Sequence, residues 1–419
     1  MFSSLLALIK SPPVELSYHD PSKSLLISHE PSGRKDGTPV TVEEPWIEYL
    51  IPRCPSLWDP KHAFCPTPFL FSGHLQTFFA SKTNWEDRYQ ILYEREKLHP
   101  TDGGTISLDW TPSIPSSASD ALPLDAPCIV VMHGLSGGSH EAYVRSFLEG
   151  MTVDLPGYRA VVVNFRGCAN TPITSPQLYN GGYTPDFRFA LSHIQDRIPD
   201  APLGAIGFSL GANLLVKFLG EEGENAPFRF AMSVGNPFDL FVGSLALRRG
   251  FIGRHIYQPV MGGMLKRLFQ RHQEMLQKIP GIDVDHVYRA RSVREFDDRC
   301  TRVAFQYDTV DDYYRDASSS RYVTRVRVPL LCLNSRDDPI SCAEGIPVDE
   351  CRTNPYVLLA LTEHGGHLGW FEGTWHIQRW CTRPLVEFAH AMFQAQGKAY
   401  LEKPLSLYTV NGGKPARRP

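Results

Sequence analysis

The sequence predicts an α/β protein: a mostly parallel central sheet, helices on both of its faces, and a helical lid inserted late in the chain. Three observations predict it. Continuously apolar runs such as CIVVM, AVVVNF and LLCLN recur through the 419 residues, the pattern of strands covered on both faces. The earlier runs are each followed by a stretch with helical spacing, which reads as successive strand–helix–strand units. Between residues 236 and 327 the rhythm stops for longer than an ordinary connection lasts, which marks an insertion.

In chain order, residues 1–68 are rich in Pro, Ser and charge and read as an extension wrapping the core, with a strand fragment at Glu15–Tyr18. The first part of the core spans 69–235 and contains one low-complexity loop, PSIPSSASDALPLDAP (112–127). CIVVMHG (128–134) leads to the helix HEAYVRSFLEGM, YRAVVVNF (158–165) to YTPDFRFALSHIQDRI (183–198), and LGAIGFS (203–209) to LGANLLVKFLG (210–220). FRFAMSVG (228–235) is the next strand. The lid, 236–327, carries the predicted helix LKRLFQRHQEMLQKI (265–279). The core resumes over 328–397 with the strands VPLLCLNS (328–335) and YVLLALTEHG (356–365). It closes on a long helix, GTWHIQRWCTRPLVEFAHAMFQAQ, expected to bend at Pro384. Residues 398–419 form a tail.

Composition excludes several classes. With 42 % hydrophobic residues, 21 % charged residues and a net charge of −3, the chain has no electrostatic bias toward nucleic acid or anionic membrane. Lys266, Arg267 and Arg271 read as a solvated helix face. The nine cysteines are scattered and form no C-x-x-C pair, which fits reduced thiols in an intracellular compartment better than a disulfide framework or a zinc site. No apolar run reaches the roughly 18 residues of a membrane-crossing helix. The start, MFSSLLALIK, lacks a basic region before its apolar patch and makes a poor signal peptide. It reads as a buried or frayed end, with peripheral contact to a membrane or lipid droplet as the other reading. The expected location is therefore intracellular, cytoplasmic or peripheral to a lipid surface. GGKPARRP at the C-terminus is neither a peroxisomal nor a reticulum-retention signal.

The chemistry begins with G-x-S-x-G, which occurs twice, around Ser136 and around Ser209. An activated serine on a nucleophile elbow needs a strand, one tight turn and a helix with almost no loop between them. AIGF enters Ser209 and LGANLLVKF leaves it at once, whereas Ser136 sits in a looser LSGGS loop. Ser209 is accordingly the candidate nucleophile. The His133-Gly134 pair before Ser136 reads instead as the start of an oxyanion-binding loop. Such a serine needs an imidazole base and an acid to orient it, in the order Ser, acid, His for this arrangement. Two strand ends downstream supply them. LTEHGGHLGW offers His364 and His367, of which His367, set among glycines, is the better base. LLCLNSRDDPI offers Asp337 and Asp338. Asp338, fixed by Pro339, is preferred as the acid, leaving Asp337 to brace the loop through backbone amides.

Other residues read more plainly. Cys168, after a strand end but outside any elbow, is a packed thiol, and His74 in SGHLQT is a structural hydrogen-bonding histidine. The acidic pairs Asp297-Asp298 and Asp311-Asp312 lack matching histidines, so no metal or other cofactor is expected. Phe238, Phe241, Leu245, Phe251 and Met264 are candidates for the lining of an acyl-chain tunnel, or else plain core.

Taken together, SGHLQT (72–77), DGGTISLDW (102–110), HGLSGGSHEAYVR (133–145), NFRGCAN (164–170), YNGGYTPD (179–186), GFSLGANLL (207–215), SRDDP (335–339) and HGGHLGWFEG (364–373) make the chain resemble the α/β-hydrolases. More narrowly, it resembles the branch of fungal medium-chain fatty acid ethyl ester synthase/esterases and related α/β-hydrolase-domain esterases and phospholipases. It covers about Phe69 to Gly373. The resemblance implies a Ser209–His367–Asp338 triad, an oxyanion hole made by the backbone N–H groups of Leu210 and Leu135, and an acyl-ester substrate. The expected activity is that of a serine esterase on medium-chain acyl esters, acting through an acyl-enzyme. An acyl-CoA:alcohol acyltransferase is the alternative, and a non-catalytic binding protein on the same fold is the alternative of another class. One departure weighs against acyltransfer: some relatives carry H-x-x-x-x-D, and none of the fifteen histidines here has Asp five residues on. The N-terminal transmembrane helix of membrane-anchored relatives also has no counterpart in this sequence.

Overall fold

Strands without polar alternation have to be covered on both sides, and the computed structural model shows such a sheet. It describes residues 12–20, 25–30, 41–82, 89–114, 122–400, 408–411 and 414–417. MFSSLLALIK, residues 115–121 of the expected loop and parts of the C-terminal tail lie outside them.

The strands are β1 (Glu15–Tyr18), β2 (Leu26–His29), β3 (Val42–Pro45), β4 (Glu94–Leu98), β5 (Ile106–Thr111), β6 (Cys128–Met132), β7 (Arg159–Asn164), β8 (Leu203–Phe208), β9 (Phe228–Val234), β10 (Leu330–Ser335) and β11 (Val357–Thr362). Nine of them form one sheet in the order β1-β11-β10-β9-β8-β6-β7-β5-β4. The six from β11 to β7 run parallel, and antiparallel β1 and β5 flank them. β2 and β3 join a small separate sheet with Gln396–Tyr400.

The period of two within each apolar strand divides the core. Cys128, Val130 and Met132 of β6 enter one layer and Ile129 and Val131 the other; Val357 and Leu359 of β11 part from Leu358 and Ala360 in the same way.

The longer helices are α1 (Gly73–Lys82), α2 (Ala142–Leu148), α3 (Pro185–Arg197), α4 (Leu210–Glu222), α5 (Leu240–Arg249), α6 (Gln258–Arg271), α7 (Val310–Ala317) and α8 (Thr382–Gln394). Helices α5, α6 and α7, with shorter turns among them, fill the connection between β9 and β10. Two expectations need correction here. The helix expected over 265–279 starts earlier, at Gln258, and stops at Arg271; His272 leaves the helical region before a further turn, Gln273–Leu276. The closing helix does not begin at Gly373. Phe371–Glu372 pairs with Gln378–Arg379 in a short hairpin, and α8 starts at Thr382. Pro384 therefore sits in the first helical turn, where a missing N–H leaves no bond unmade and causes no bend.

Candidate active site

Parallel strands present their C-terminal ends along one edge of the sheet, and open α/β sheets collect ligands there. Ser209 directly follows β8, Asp338 follows β10 by three residues, and His367 follows β11 by five. The turn at Ser209 is under strain: its φ of 52° and ψ of −119° lie where side-chain-bearing residues cost about 1–3 kcal/mol. Neighbouring contacts hold it. The Ser209 N–H donates to the Val234 carbonyl at 2.8 Å, and its own carbonyl accepts from Ala212 and Asn213 at 2.9 and 3.1 Å. The flanking glycines are there for space. A Cβ on Gly207 would lie 2.6 Å from the Ala212 Cα, and one on Gly211 would lie 2.7 Å from the Met132 carbonyl oxygen.

The three strand ends meet. Ser209 Oγ is 2.8 Å from His367 Nε2, and His367 Nδ1 is 2.8 Å from Asp338 Oδ2. A carboxylate only accepts, so Nδ1 carries the imidazole proton and Nε2 is left to accept from the serine hydroxyl. The Asp338 side chain is fully buried, and its second oxygen accepts from the amides of Ile340 and Ser341, both at 2.8 Å. Two backbone amides and the imidazole N–H thereby occupy both oxygens of this side chain.

Asp337 faces elsewhere. It accepts from Gly366 N–H at 2.9 Å and pairs with His364 Nδ1 at 3.1 Å, which braces the loop that presents His367. The loop also leans on α1: the His367 N–H donates to Thr77 Oγ1 at 2.8 Å, while Gln76 spans Leu70 and Phe371. Gly366, at a φ of 58°, has no room for a Cβ against the Gly73 carbonyl. Sequence reasoning gave Thr77, Gln76, Ser341, Tyr143 and Tyr179 no part in the site, although four of them stand in the quoted motifs and Ser341 directly follows LLCLNSRDDPI. Their polarity within otherwise apolar or glycine-rich motifs was the available signal.

The other serine pairs with a phenol. Ser136 Oγ is 3.5 Å from Tyr179 Oη, and the Ser136 N–H donates to that same oxygen at 2.8 Å. On the other side of Leu135, Gly134 N–H donates to Tyr143 Oη at 2.9 Å. Among the described residues, the Leu135 and Leu210 amides find no acceptor of their own, and both residues line the cleft beside Ser209. Gly134 packs so close that a Cβ on it would lie 3.2 Å from that of Ser209. His133 sets the loop's first turn. Its Nδ1–H donates to the Gly134 carbonyl at 2.8 Å and its Nε2 accepts the Phe165 N–H at 3.3 Å, and burial lowers its pKa to about 4, so the ring stays neutral.

The cleft beyond Ser209 has a cavity volume of about 130 Å³ and is partly open to solvent. Its wall is mostly apolar. Leu240, Gly243, Ser244 and Leu247 of α5 face it, as do Met261 and Leu265 of α6, both at helical spacing. None of the five expected tunnel residues lines it. Phe238 is fully buried in the core, Phe241 packs under Arg315, Phe251 is exposed, and Leu245 and Met264 lie on other helix faces. The far end is polar. Asp297 accepts from Thr301 Oγ1 at 2.6 Å and from Tyr314 Oη at 2.8 Å, and burial raises its carboxyl to about 6.

Two further expectations concern single residues. Burial pushes the Cys168 thiol up to about 12, far from a thiolate nucleophile. His74 is hydrogen-bonded, with Nδ1 2.9 Å from Tyr257 Oη and the rings stacked.

Comparison with known proteins gives the chain its relatives. A family model described as the alpha/beta hydrolase fold matches residues 127–250. The embryogenesis-associated protein EMB8 of Picea glauca is 38 % identical over 332 residues, 77 % of this chain and 70 % of that protein. The monoacylglycerol lipase of Saccharomyces cerevisiae is 33 % identical over 76 % of this chain and 78 % of its own length. The human phospholipase ABHD3 is 34 % identical over 85 % of this chain and 84 % of its own.

Proposed function

The chain belongs to the α/β-hydrolase esterase family and is a serine hydrolase, and from that premise we propose that it cleaves medium-chain acyl esters with Ser209 as nucleophile, His367 as base and Asp338 as the acid that orients it. The observation that carries this reading is the unbroken hydrogen-bond chain from Ser209 through His367 to Asp338 at the head of an apolar cleft.

In the first step Ser209 Oγ attacks the ester carbonyl carbon while His367 Nε2 takes its proton. The carbonyl π pair moves onto oxygen, where the Leu210 and Leu135 N–H groups receive the charge. Donors of this kind contribute about 3–4 kcal/mol each in related sites. The oxyanion also lies at the N-terminus of the 13-residue helix α4, the positive end of its dipole. The tetrahedral carbon then expels the alcohol, which leaves with the His367 proton. In the second step water attacks the acyl-enzyme, gives its proton to His367 and releases the acid, and the proton returns to Ser209.

The helical segment between β9 and β10 acts in this scheme as the lid that shapes the acyl site. The names of two relatives, a monoacylglycerol lipase and a phospholipase, support lipid esters as the substrate class.

The test is labelling with a fluorophosphonate. Wild type takes up the probe and Ser209→Ala takes up none; equal labelling of both removes Ser209 from the mechanism. A p-nitrophenyl ester series then reads the chain length, with the optimum expected at medium chains.

A further inference from the structure

The outer surface of the cleft wall is unlike the rest of the chain. From Leu240 to Gln273 the sequence holds six lysines and arginines and no Asp or Glu, in a protein of net charge −3. Arg248, Arg249, Arg254, Arg267 and Arg271 are exposed, and among the described residues none of them, nor Lys266, forms an ion pair. Large apolar side chains stand between these cations. Phe251 is 77 % exposed and Val260 56 %, with Ile256 beside them at 49 %.

A second apolar strip adjoins the first. Phe71 is 60 % exposed and Phe78 58 %, on and just before α1. The stacked, hydrogen-bonded pair of His74 and Tyr257 fastens α1 to the α5–α6 connection. Both strips flank the cleft, since α1 holds the His367 loop through Thr77 and the inner faces of α5 and α6 line the cavity.

We infer that this face docks on a lipid surface bearing anionic phospholipid, with the cleft turned toward it. Charge selects this occupant. Cations with no internal partner are attracted to anionic headgroups, while phenylalanine and aliphatic side chains at the same level enter the boundary between headgroups and acyl chains. An exposed apolar patch of this extent marks an interaction site on a water-borne protein. Two copies meeting through the same face would bring like charges together. No helix among the described residues is long and apolar enough to cross a membrane; the inferred contact is a peripheral one. The inference deepens the esterase reading by placing the lipid substrate beside the cleft, and the docking itself requires no chemistry.

Co-sedimentation of the full chain with phosphatidylcholine vesicles, with and without phosphatidylglycerol, tests it. The protein is expected to pellet with the anionic vesicles only, and to be released by added salt. Combining Arg248→Gln, Arg249→Gln and Arg254→Gln weakens binding by on the order of a hundredfold; Phe251→Ser with Ile256→Ser weakens it separately. Both variants keep wild-type hydrolysis of a soluble short-chain ester, which shows that they are folded. Wild type that stays in the supernatant with anionic vesicles, or variants that bind as wild type does, overturn the inference. So does a concentration-dependent dimer that the apolar variant abolishes in a protein that ignores vesicles. Vesicle binding does not need Ser209, so Ser209→Ala binds as wild type does; a wild type that binds vesicles yet hydrolyses no ester would sink the esterase reading while the docking stood.

Discussion

The two ends of the cleft are built by different means. At the sheet end, a serine held at positive φ, an imidazole on a braced loop and a buried carboxylate are each fixed by backbone bonds within a few residues of a strand terminus. At the helical end, the wall is a set of side chains that share a face only because α5 and α6 turn every 3.6 residues. The difference teaches a division of labour in the proposed mechanism: strand ends fix the reacting groups through backbone bonds, and helix faces set the shape of what fits. Chemistry at one end should therefore respond to single-atom changes, and selectivity at the other to volume and polarity.

The sharpest way to break that comparison is at the two neighbouring aspartates. Asp338→Asn is expected to lower kcat on a soluble ester by roughly 10³–10⁴-fold, because an amide in its place favours the wrong imidazole tautomer. Asp337→Asn keeps an acceptor for the Gly366 amide and is expected to cost about tenfold or less. Equal losses, with both proteins folded by circular dichroism, would mean that the one-residue distinction at this strand end is false.

A smaller effect lies at the polar end of the helical wall. The Asp297 carboxyl sits at about 6 in the folded protein against its ordinary 3.8, through burial. The folded state thus holds a proton that the unfolded chain has released, and stability falls as pH rises from 3.8 to about 6 and is level above it. Asp297→Asn removes this dependence. The difference in unfolding free energy between wild type and variant should shift by about 3 kcal/mol across that window, read by urea denaturation. His133, whose lowered value acts in the opposite direction, is common to both proteins and cancels. A flat difference would show that Asp297 is solvated from the cleft.

The smallest effect sharpens the picture of the wall. Leu247→Trp fills space on the cleft-facing side of α5 without touching Ser209. It should reduce kcat/KM for an octanoyl p-nitrophenyl ester about tenfold relative to the butyryl ester, with fluorophosphonate labelling unchanged. Parallel loss on both esters would move Leu247 from selectivity to structure.

The same contrast explains what was legible in the sequence. β6, β7, β8, β10 and β11 were readable because strands covered on both faces keep an unbroken apolar run, with polar residues such as Arg159, Asn164 and Asn334 only toward its ends. The surroundings of Ser209 were readable because glycines at 207 and 211 are needed where helix and strand collide. The wall was not: Phe241 was read as lining and its neighbour Leu240 was not, and only the helix's rotation, set by long-range packing, turns Leu240 toward the cleft and Phe241 under Arg315. Asp297 was set aside for want of histidines at metal-ligand spacing; its bonds to Thr301 and Tyr314 form only when the helical segment folds, and no spacing in the sequence announces them. The hairpin at 371–379 was missed because apolar WFEG and IQRW, so close together, mimic a helix in composition.

Asn213 lies at the core of α4 and is fully buried. Its amide nitrogen donates to Gly181 and Ala317 carbonyls at 2.8 and 2.7 Å, and its oxygen accepts from Ser319 N–H at 2.9 Å. Gly181 borders the cleft, Ala317 ends the helix that supplies Tyr313 and Tyr314, and Ser209 begins the helix on which Asn213 stands. One amide thereby rivets floor and far wall to the reactive turn. A bulky guest that pries the wall outward has to break three buried bonds, so this portion of the chamber should keep its shape whether empty or filled.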